Sequence, residues 1–286
     1  MNVGQANNSA EGATAGGTAS EPIIRLRGVG LRYQAERGET EALSNIDLDI
    51  AEGEFIAFLG PTGCGKSSLL RLVSDLVEPT SGTVAIRGGP AIEARRANRF
   101  GFVFQDPALL SWRTAIGNVQ LPLEVVGYPV EQRRARCEAL LDSVGLLKFK
   151  DAYPHELSGG MKQRVAIVRA LAWNASILLM DEPFSALDEL TKTQLQDDLL
   201  RIWSAERKTV LFVTHNISEA VYLADRVVVF SALPGRVRQI YEIDLPRPRP
   251  LSIKREQRFL AYEDAIWNCI EEEVTAAKEV GLAARG

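Results

Sequence analysis

Eight consecutive residues, Gly60-Pro61-Thr62-Gly63-Cys64-Gly65-Lys66-Ser67, have the composition and spacing of a loop that holds a polyphosphate. Glycines let successive backbone N–H groups turn toward phosphate oxygens. Lys66 supplies a charge that reaches the β- and γ-phosphates, and the Ser67 hydroxyl can ligate Mg2+. The flanks agree. Phe55-Ile56-Ala57-Phe58-Leu59 reads as a buried strand, and Ser68-Leu69-Leu70-Arg71-Leu72-Val73 reads as the start of a helix whose N-terminus adds partial positive charge. A loop that merely turned the chain would need neither the Lys-Ser pair nor this setting. The stretch therefore predicts binding of a nucleoside triphosphate.

Other residues could act on that triphosphate. Asp181 and Glu182 close the apolar run Ile177-Leu178-Leu179-Met180. A carboxylate there can hold Mg2+ through water, and its neighbour can orient or deprotonate an attacking water. Alone, such a pair is more often a solvated loop; the phosphate loop turns the reading toward chemistry. His215 follows Val210-Leu211-Phe212-Val213-Thr214 and is a candidate donor to the γ-phosphate, whereas His155 lacks that setting and is read as structural. Gln105 follows Phe100-Gly101-Phe102-Val103-Phe104; it can ligate the metal and sense the γ-phosphate, or it can simply end a strand. Ser158-Gly159-Gly160 is either a second anion-binding turn at a helix start or an N-cap with two glycines for close packing. With one phosphate loop and two such turns, the second can serve a nucleotide held by another subunit.

These residues need a scaffold. Continuous apolar strands near 55–59, 100–104, 177–180, 210–213 and 227–230 alternate with helical stretches, which predicts an α/β fold with a parallel sheet covered on both faces. Gln105, Asp181, Glu182 and His215 all fall at the C-terminal ends of such strands, where active groups of these sheets lie. Short segments at 23–26, 29–33 and 46–50, the last two separated by a polar excursion at 34–40, predict a small antiparallel sheet that residues 83–87 would join. Residues of about 114–156, broken by Pro122, Gly127, Pro129 and Gly145, read as a mainly helical insertion. Residues 1–20 are expected to be a disordered tail, 21–245 the nucleotide-binding domain, and 246–286 a linker and helix. That helix would dock through Phe259, Tyr262, Ile266 and Ile270.

With 286 residues, 46% of them hydrophobic and 24% charged, the chain has the composition of a globular protein with a large core. A net charge of −4 argues against general nucleic-acid affinity. No run reaches the roughly 18 apolar residues of a membrane span. The three cysteines, Cys64, Cys137 and Cys269, lack metal-ligand spacing, and with no secretory signal the expected compartment is the cytosol. Cys64, inside the loop, is expected to react with thiol reagents and to be shielded by ATP.

The ordered set of motifs resembles the nucleotide-binding subunit of ATP-binding cassette (ABC) transporters over roughly residues 22–245. Residues 60–67 are similar to the Walker A motif, Gln105 to the Q-loop, and Leu157-Ser158-Gly159-Gly160-Met161-Lys162-Gln163-Arg164 to the family signature. Residues 177–182 resemble Walker B, Ser185-Ala186-Leu187-Asp188 the D-loop, and His215 the switch histidine. Ser68 and Thr62 depart from the commoner threonine and serine but keep a hydroxyl. The resemblance implies a P-loop NTPase core with a mixed, mainly parallel sheet, a small antiparallel β subdomain and a helical subdomain. It also implies an adenine-stacking role for Tyr33, which can equally be a packed strand residue.

By the same resemblance, two copies would close head to tail on two Mg·ATP, each bound between residues 60–68 of one copy and Ser158, Gly159 and Gly160 of the other. Glu182 would activate water, with Lys66, Ser67, Gln105, Asp181 and His215 holding and sensing Mg2+ and ATP. Pro234-Gly235-Arg236, Asp244-Leu245-Pro246-Arg247-Pro248-Arg249 and Leu109-Leu110-Ser111-Trp112-Arg113 resemble the nitrate, sulfonate and taurine importer branch. That implies a peripheral protein at the cytoplasmic face of the inner membrane, working beneath separate permease subunits and indirectly with a periplasmic or lipid-anchored substrate-binding protein. Leu109, Leu110 and Trp112 are candidate permease contacts or ordinary buried residues. Rival readings are a soluble cassette acting on ribosomes or DNA, and a P-loop kinase acting on a small molecule. The first would call for a second cassette or a long coiled-coil or basic insertion, and the second gives the signature and D-loop no role.

Overall fold

The computed structural model describes residues 21–35, 38–173 and 175–283. The expected tail at 1–20 lies outside them. The elements follow in the order β1 (Ile24–Ala35), β2 (Gly38–Ile50), β3 (Phe55–Leu59), α1 (Lys66–Val73), β4 (Ser81–Ile86), β5 (Gly89–Pro90), α2 (Ala91–Arg96) and β6 (Phe100–Val103). Then come α3 (Ala115–Val125), α4 (Val130–Ser143), α5 (Gly159–Leu171), β7 (Ile177–Asp181), α6 (Glu189–Glu206) and β8 (Thr209–Val213). The described chain closes with α7 (Ile217–Leu223), β9 (Arg226–Phe230), β10 (Val237–Glu242) and α8 (Gln257–Ala283).

A six-stranded sheet in the order β10-β9-β3-β8-β7-β6 forms the centre, parallel except for β10. Its inner strands are apolar throughout because both faces are covered. Side chains alternate across a strand. Phe55, Ala57, Leu178, Met180, Val210 and Phe212 therefore pack under α5, α6, α7 and α8, while Ile56, Phe58, Ile177, Leu179, Leu211 and Val213 face α1 and the second sheet. That second sheet is antiparallel, in the order β2-β1-β4-β5. The helices α3 and α4 form a third layer with its own apolar centre, closed by Val165 and Val168 of α5 and by Ala172 just after it.

Two features differ from expectation. The segments expected at 23–26 and 29–33 are one strand, β1, whose register shifts between Leu26 and Val29 and again before Leu31, near the left-handed Gly28 at φ +56°. The polar residues 38–40 belong to β2 rather than to an excursion, because they pair with 33–35 of β1 at the solvent-facing tip of the hairpin. The C-terminal helix docks as expected: Phe259 and Ile266 are fully buried, and Tyr262 and Ile270 pack beside them.

Candidate functional site

Two of the phosphate loop's three glycines, Gly60 and Gly65, have no room for a side chain, while Gly63 needs only its positive φ of +82°. A Cβ on Gly60 (φ +149°) would sit 2.9 Å from the Phe230 carbonyl oxygen. On Gly65 (φ +98°) it would sit 2.7 Å from that of Ala42. Inside the curve, the buried Lys66 ammonium donates to the carbonyls of Gly60 at 2.8 Å and Pro61 at 2.9 Å. Gly65 caps α1 without any side-chain acceptor, so the first-turn N–H groups of that helix face the loop as anion donors.

β7 brings its terminal carboxylate to the same place. Ser67 Oγ donates to Asp181 Oδ1 at 2.9 Å, joining residues 114 apart in sequence. Burial pushes the Asp181 carboxyl upward, opposed by that hydrogen bond and, more weakly, by Arg71 and Lys66. A divalent cation beside it would reverse the shift. The donor set is a hydroxyl and one carboxylate, and no cluster of three or more His, Cys, Asp or Glu side chains exists among the described residues. So sparse a set of hard oxygen donors fits Mg2+, which keeps waters and phosphate oxygens in its shell.

Glu182 adopts φ +47°, a left-handed conformation unusual for a residue with a side chain. Its N–H donates to the Val213 carbonyl at 2.9 Å and its own carbonyl accepts from Ser185 Oγ at 3.0 Å, which holds the turn. Glu182 Oε2 lies 3.1 Å from His215 Nδ1, so β7 and β8 deliver a carboxylate–imidazole pair. Tyr33 OH lies 3.1 Å from Ser68 Oγ. A cavity of about 350 Å³ gathers Tyr33, Thr62, Gly63, Gly65, Lys66, Ser67, Ser68 and Glu182 around one opening. Asp181 reaches this group through Ser67, and His215 through Glu182.

Gln105 is not brought in. It is exposed past the end of β6, the outermost parallel strand, and does not line the cavity. Ser158, Gly159 and Gly160 also lie outside the cavity lining. Ser158 caps α5, its Oγ accepting from the Met161 N–H at 3.3 Å. A Cβ on Gly160 would meet Thr191 Cγ2 at 2.5 Å, so close packing accounts for that glycine, whereas one on Gly159 would find nothing within 4 Å. His155 stacks on Tyr153 in the helical layer, away from the loop.

The expectation for Cys64 is corrected. Its side chain is 1% exposed, pointing inward beneath the loop, and burial pushes the thiol up despite the nearby Lys66 ammonium. Of the candidate permease contacts, Leu109 packs partly against the helical layer while Trp112 is 72% exposed. Three lining residues escaped the sequence reading: Thr40 and Ala42 on β2, and Leu233 on the turn after β9. That turn is fastened to the site because the Gly235 N–H donates to the Ala42 carbonyl at 3.0 Å and Gly235 lies against the Cys64 carbonyl. The only sequence signal for it was the Pro234-Gly235 pair.

Residues 43–185 match the family described as "ABC transporter". A nitrate import ATP-binding protein of Synechocystis sp. is 44% identical over 240 residues, covering 82% of this chain and 90% of the relative. A taurine import ATP-binding protein of Rhizobium johnstonii is 46% identical over 226 residues, covering 79% and 86%. Among solved structures, a dimeric ATP-binding cassette in a post-hydrolysis state with ADP and Pi superposes with a TM-score of 0.70 at 34% identity, over 78% of this chain and 100% of that one. The phosphate loop, the carboxylates at the end of β7 and these likenesses lead to one assignment: the chain belongs to the ATP-binding subunits of ABC transporters, ATPases coupled to transport.

Proposed function

We propose that this chain energises an importer for a small anion of the nitrate, sulfonate or taurine type, as a head-to-tail pair beneath a separate membrane permease. The observation that carries the paired site is the position of Ser158-Gly159-Gly160. One copy gathers Tyr33, the loop and Glu182 around a single opening, while the signature turn stands exposed elsewhere with open space at Gly159. A second copy placed head to tail would supply Ser158, Gly159 and the N-terminus of α5 to the outer side of the triphosphate. The import names of the relatives support the transport direction and the class of solute.

In this reading Lys66 and the N–H groups of α1 hold the β- and γ-phosphates, and Tyr33 lies against the adenine. Ser67 and Asp181 would hold Mg2+, which neutralises charge on the phosphate oxygens; Gln105 would join them when the helical layer swings inward. Glu182 takes a proton from the attacking water as its oxygen bonds to the γ-phosphorus, while the bond from that phosphorus to the bridging oxygen of ADP breaks. His215 donates to a γ-phosphate oxygen and keeps the Glu182 carboxylate aimed. Because intact ATP bridges the copies and ADP does not, cleavage favours their separation and drives the permease through Trp112 and its neighbours. No helix among the described residues is long and apolar enough to cross a membrane. In this reading the chain attaches peripherally at the cytoplasmic face through the permease. A periplasmic or lipid-anchored binding protein would deliver the solute.

The test is reconstitution. The full chain should co-purify with a multi-span membrane protein and, in proteoliposomes, hydrolyse ATP in step with uptake of labelled nitrate, taurine or an alkanesulfonate. Co-purification with ribosomes or nucleic acid, or transfer of phosphate to a small-molecule acceptor, would replace this reading.

A further inference from the structure

The contact between Glu182 and His215, past the ends of β7 and β8, is open to solvent. The His215 side chain is 61% exposed, and an exposed pair of this kind is worth little by itself. Little of the alignment can come from it. The same two turns are joined a second time, through buried groups.

His215 stands between two residues that share one hydrogen-bond network. The Thr214 N–H donates to the Phe58 carbonyl at 3.2 Å, and Thr214 Oγ1 donates to Glu219 Oε2 at 2.6 Å. That hydroxyl accepts from the Asn216 N–H at 3.0 Å, and Asn216 Oδ1 accepts from the Glu219 N–H at 3.0 Å. The turn carrying His215 is therefore fixed on Glu219, a buried residue of α7. Lys192 Nζ lies 3.5 Å from the other carboxylate oxygen, Glu219 Oε1, and the lysine side chain is only 14% exposed. Burial pushes the Glu219 carboxyl up, opposed by the Thr214 hydrogen bond and by Lys192.

Lys192 belongs to the first turn of α6, which grows out of Ser185-Ala186-Leu187-Asp188. Its N–H donates to the Asp188 carbonyl at 2.9 Å, and Asp188 Oδ1 accepts from the Thr191 N–H at 3.1 Å. At the other end of that segment, Ser185 Oγ holds the Glu182 carbonyl. The contacts close into a circuit. Glu182 meets His215 directly, and it also reaches His215 by way of Ser185, Asp188, Lys192, Glu219 and Thr214. Lys192 also lies 3.7 Å from the exposed Glu189, and Lys254 braces the next turn of α6 by donating to Gln196 at 2.9 Å.

We propose that Lys192 and Glu219 are positioning residues for ATP hydrolysis, their buried pair holding the turn of His215 against the segment that carries Glu182. This rests on the roles given above to Glu182 and His215. Neither Lys192 nor Glu219 lines the nucleotide cavity, so losing their pair leaves the phosphate contacts in place and misaligns the groups that act on water. Misplacement by about 1 Å at such a centre can cost about 10²-fold in rate.

Removing Lys192 alone would strand a buried carboxylate without its ion-pair partner, so the decisive variant is the double substitution Lys192→Met, Glu219→Gln. The new amide still accepts from Thr214 and carries no charge, so the local fold survives while the tie to α6 is lost. We expect kcat to fall about tenfold or more, with KM for ATP within about twofold of wild type. Lys192→Arg, which keeps the ion pair, should hold kcat within about threefold. A second readout is the imidazole itself. The chain has two histidines, so its imidazole NMR spectrum holds two signals, and His215→Ala assigns them. In the double variant the His215 signal should shift while that of His155 stays, which separates a moved turn from a disturbed fold. Wild-type turnover in the double variant, a raised KM with kcat intact, an unmoved His215 signal or equal movement of both signals would overturn the proposal. Glu182→Gln and His215→Ala are measured beside it. If both hydrolyse ATP normally, the underlying roles fail and this one with them; if both are slow and the double variant is fast, this one alone fails.

Discussion

At Glu182 the chain turns through φ +47° with its N–H fixed on Val213 and its carbonyl on Ser185, so its backbone is set before any substrate arrives. The amide of Glu182→Gln has the same shape and can still meet His215, but it cannot take up a proton. We expect this variant to bind Mg·ATP with affinity close to wild type and to release phosphate about 10²- to 10⁴-fold more slowly, the usual share of a general base. Near-normal release in a single-turnover assay would remove Glu182 from that role. The cysteines give a second residue-level expectation. Cys64 and Cys137 are buried with their thiols pushed up, Cys137 to about 11, while Cys269 is partly exposed on α8. A thiolate is the reactive form. A maleimide should therefore modify Cys269 first, with or without ATP, and mass spectrometry of the peptides checks the order; early labelling of Cys64 would mean that the loop opens.

Among the elements, α7 and the segment after β10 are joined by one side chain. Arg249, 4% exposed, donates to the carbonyls of Val221, Tyr222 and Ala224 at the end of α7 and reaches those of Ile243 and Leu245. A cation at a helix C-terminus also meets the negative end of its dipole. Arg247 adds bonds to Leu223 and Asp225 and lies over the Trp203 ring. Arg249→Met would leave several buried carbonyls unpaired, each costing about 1–3 kcal/mol before relaxation, so we expect a loss on the order of 3 kcal/mol. A shift in the urea midpoint measures it, and an unchanged midpoint would show that water replaces the guanidinium. None of this was legible in the sequence, where Pro246-Arg247-Pro248-Arg249-Pro250 has the look of a solvated linker. The phosphate loop was legible because its chemistry sits in consecutive residues, and the strands because burial on both faces makes them apolar throughout. The helix α6, expected only as a stretch between strands, was not placed residue by residue because its buried Leu195, Leu199 and Trp203 are scattered among acidic and polar residues. The inward turn of Cys64 was missed because it depends on positive φ at Gly63 and Gly65, which residue types alone do not assign.

For the whole molecule, the question is what completes the opening that Tyr33, the loop and Glu182 surround. Each copy carries an exposed N-cap at Ser158 with open space beside Gly159, and each leaves one side of its cavity uncovered. If two copies exchange these parts, one substitution must separate binding from turnover. Ser158→Arg places a long cation where a γ-phosphate of the partner's nucleotide would approach, yet Ser158 lies outside the cavity lining of its own copy. We expect Mg·ATP affinity of the single chain to stay within about twofold, since the loop contacts are untouched, while phosphate release falls to background. In scattering with saturating Mg·ATP, Glu182→Gln should form a pair and the double variant Glu182→Gln, Ser158→Arg should not. If Ser158→Arg instead weakened binding by the single chain, the signature turn would belong to the same copy's site. If the double variant paired as well as Glu182→Gln alone, the triphosphate would not be what joins the copies.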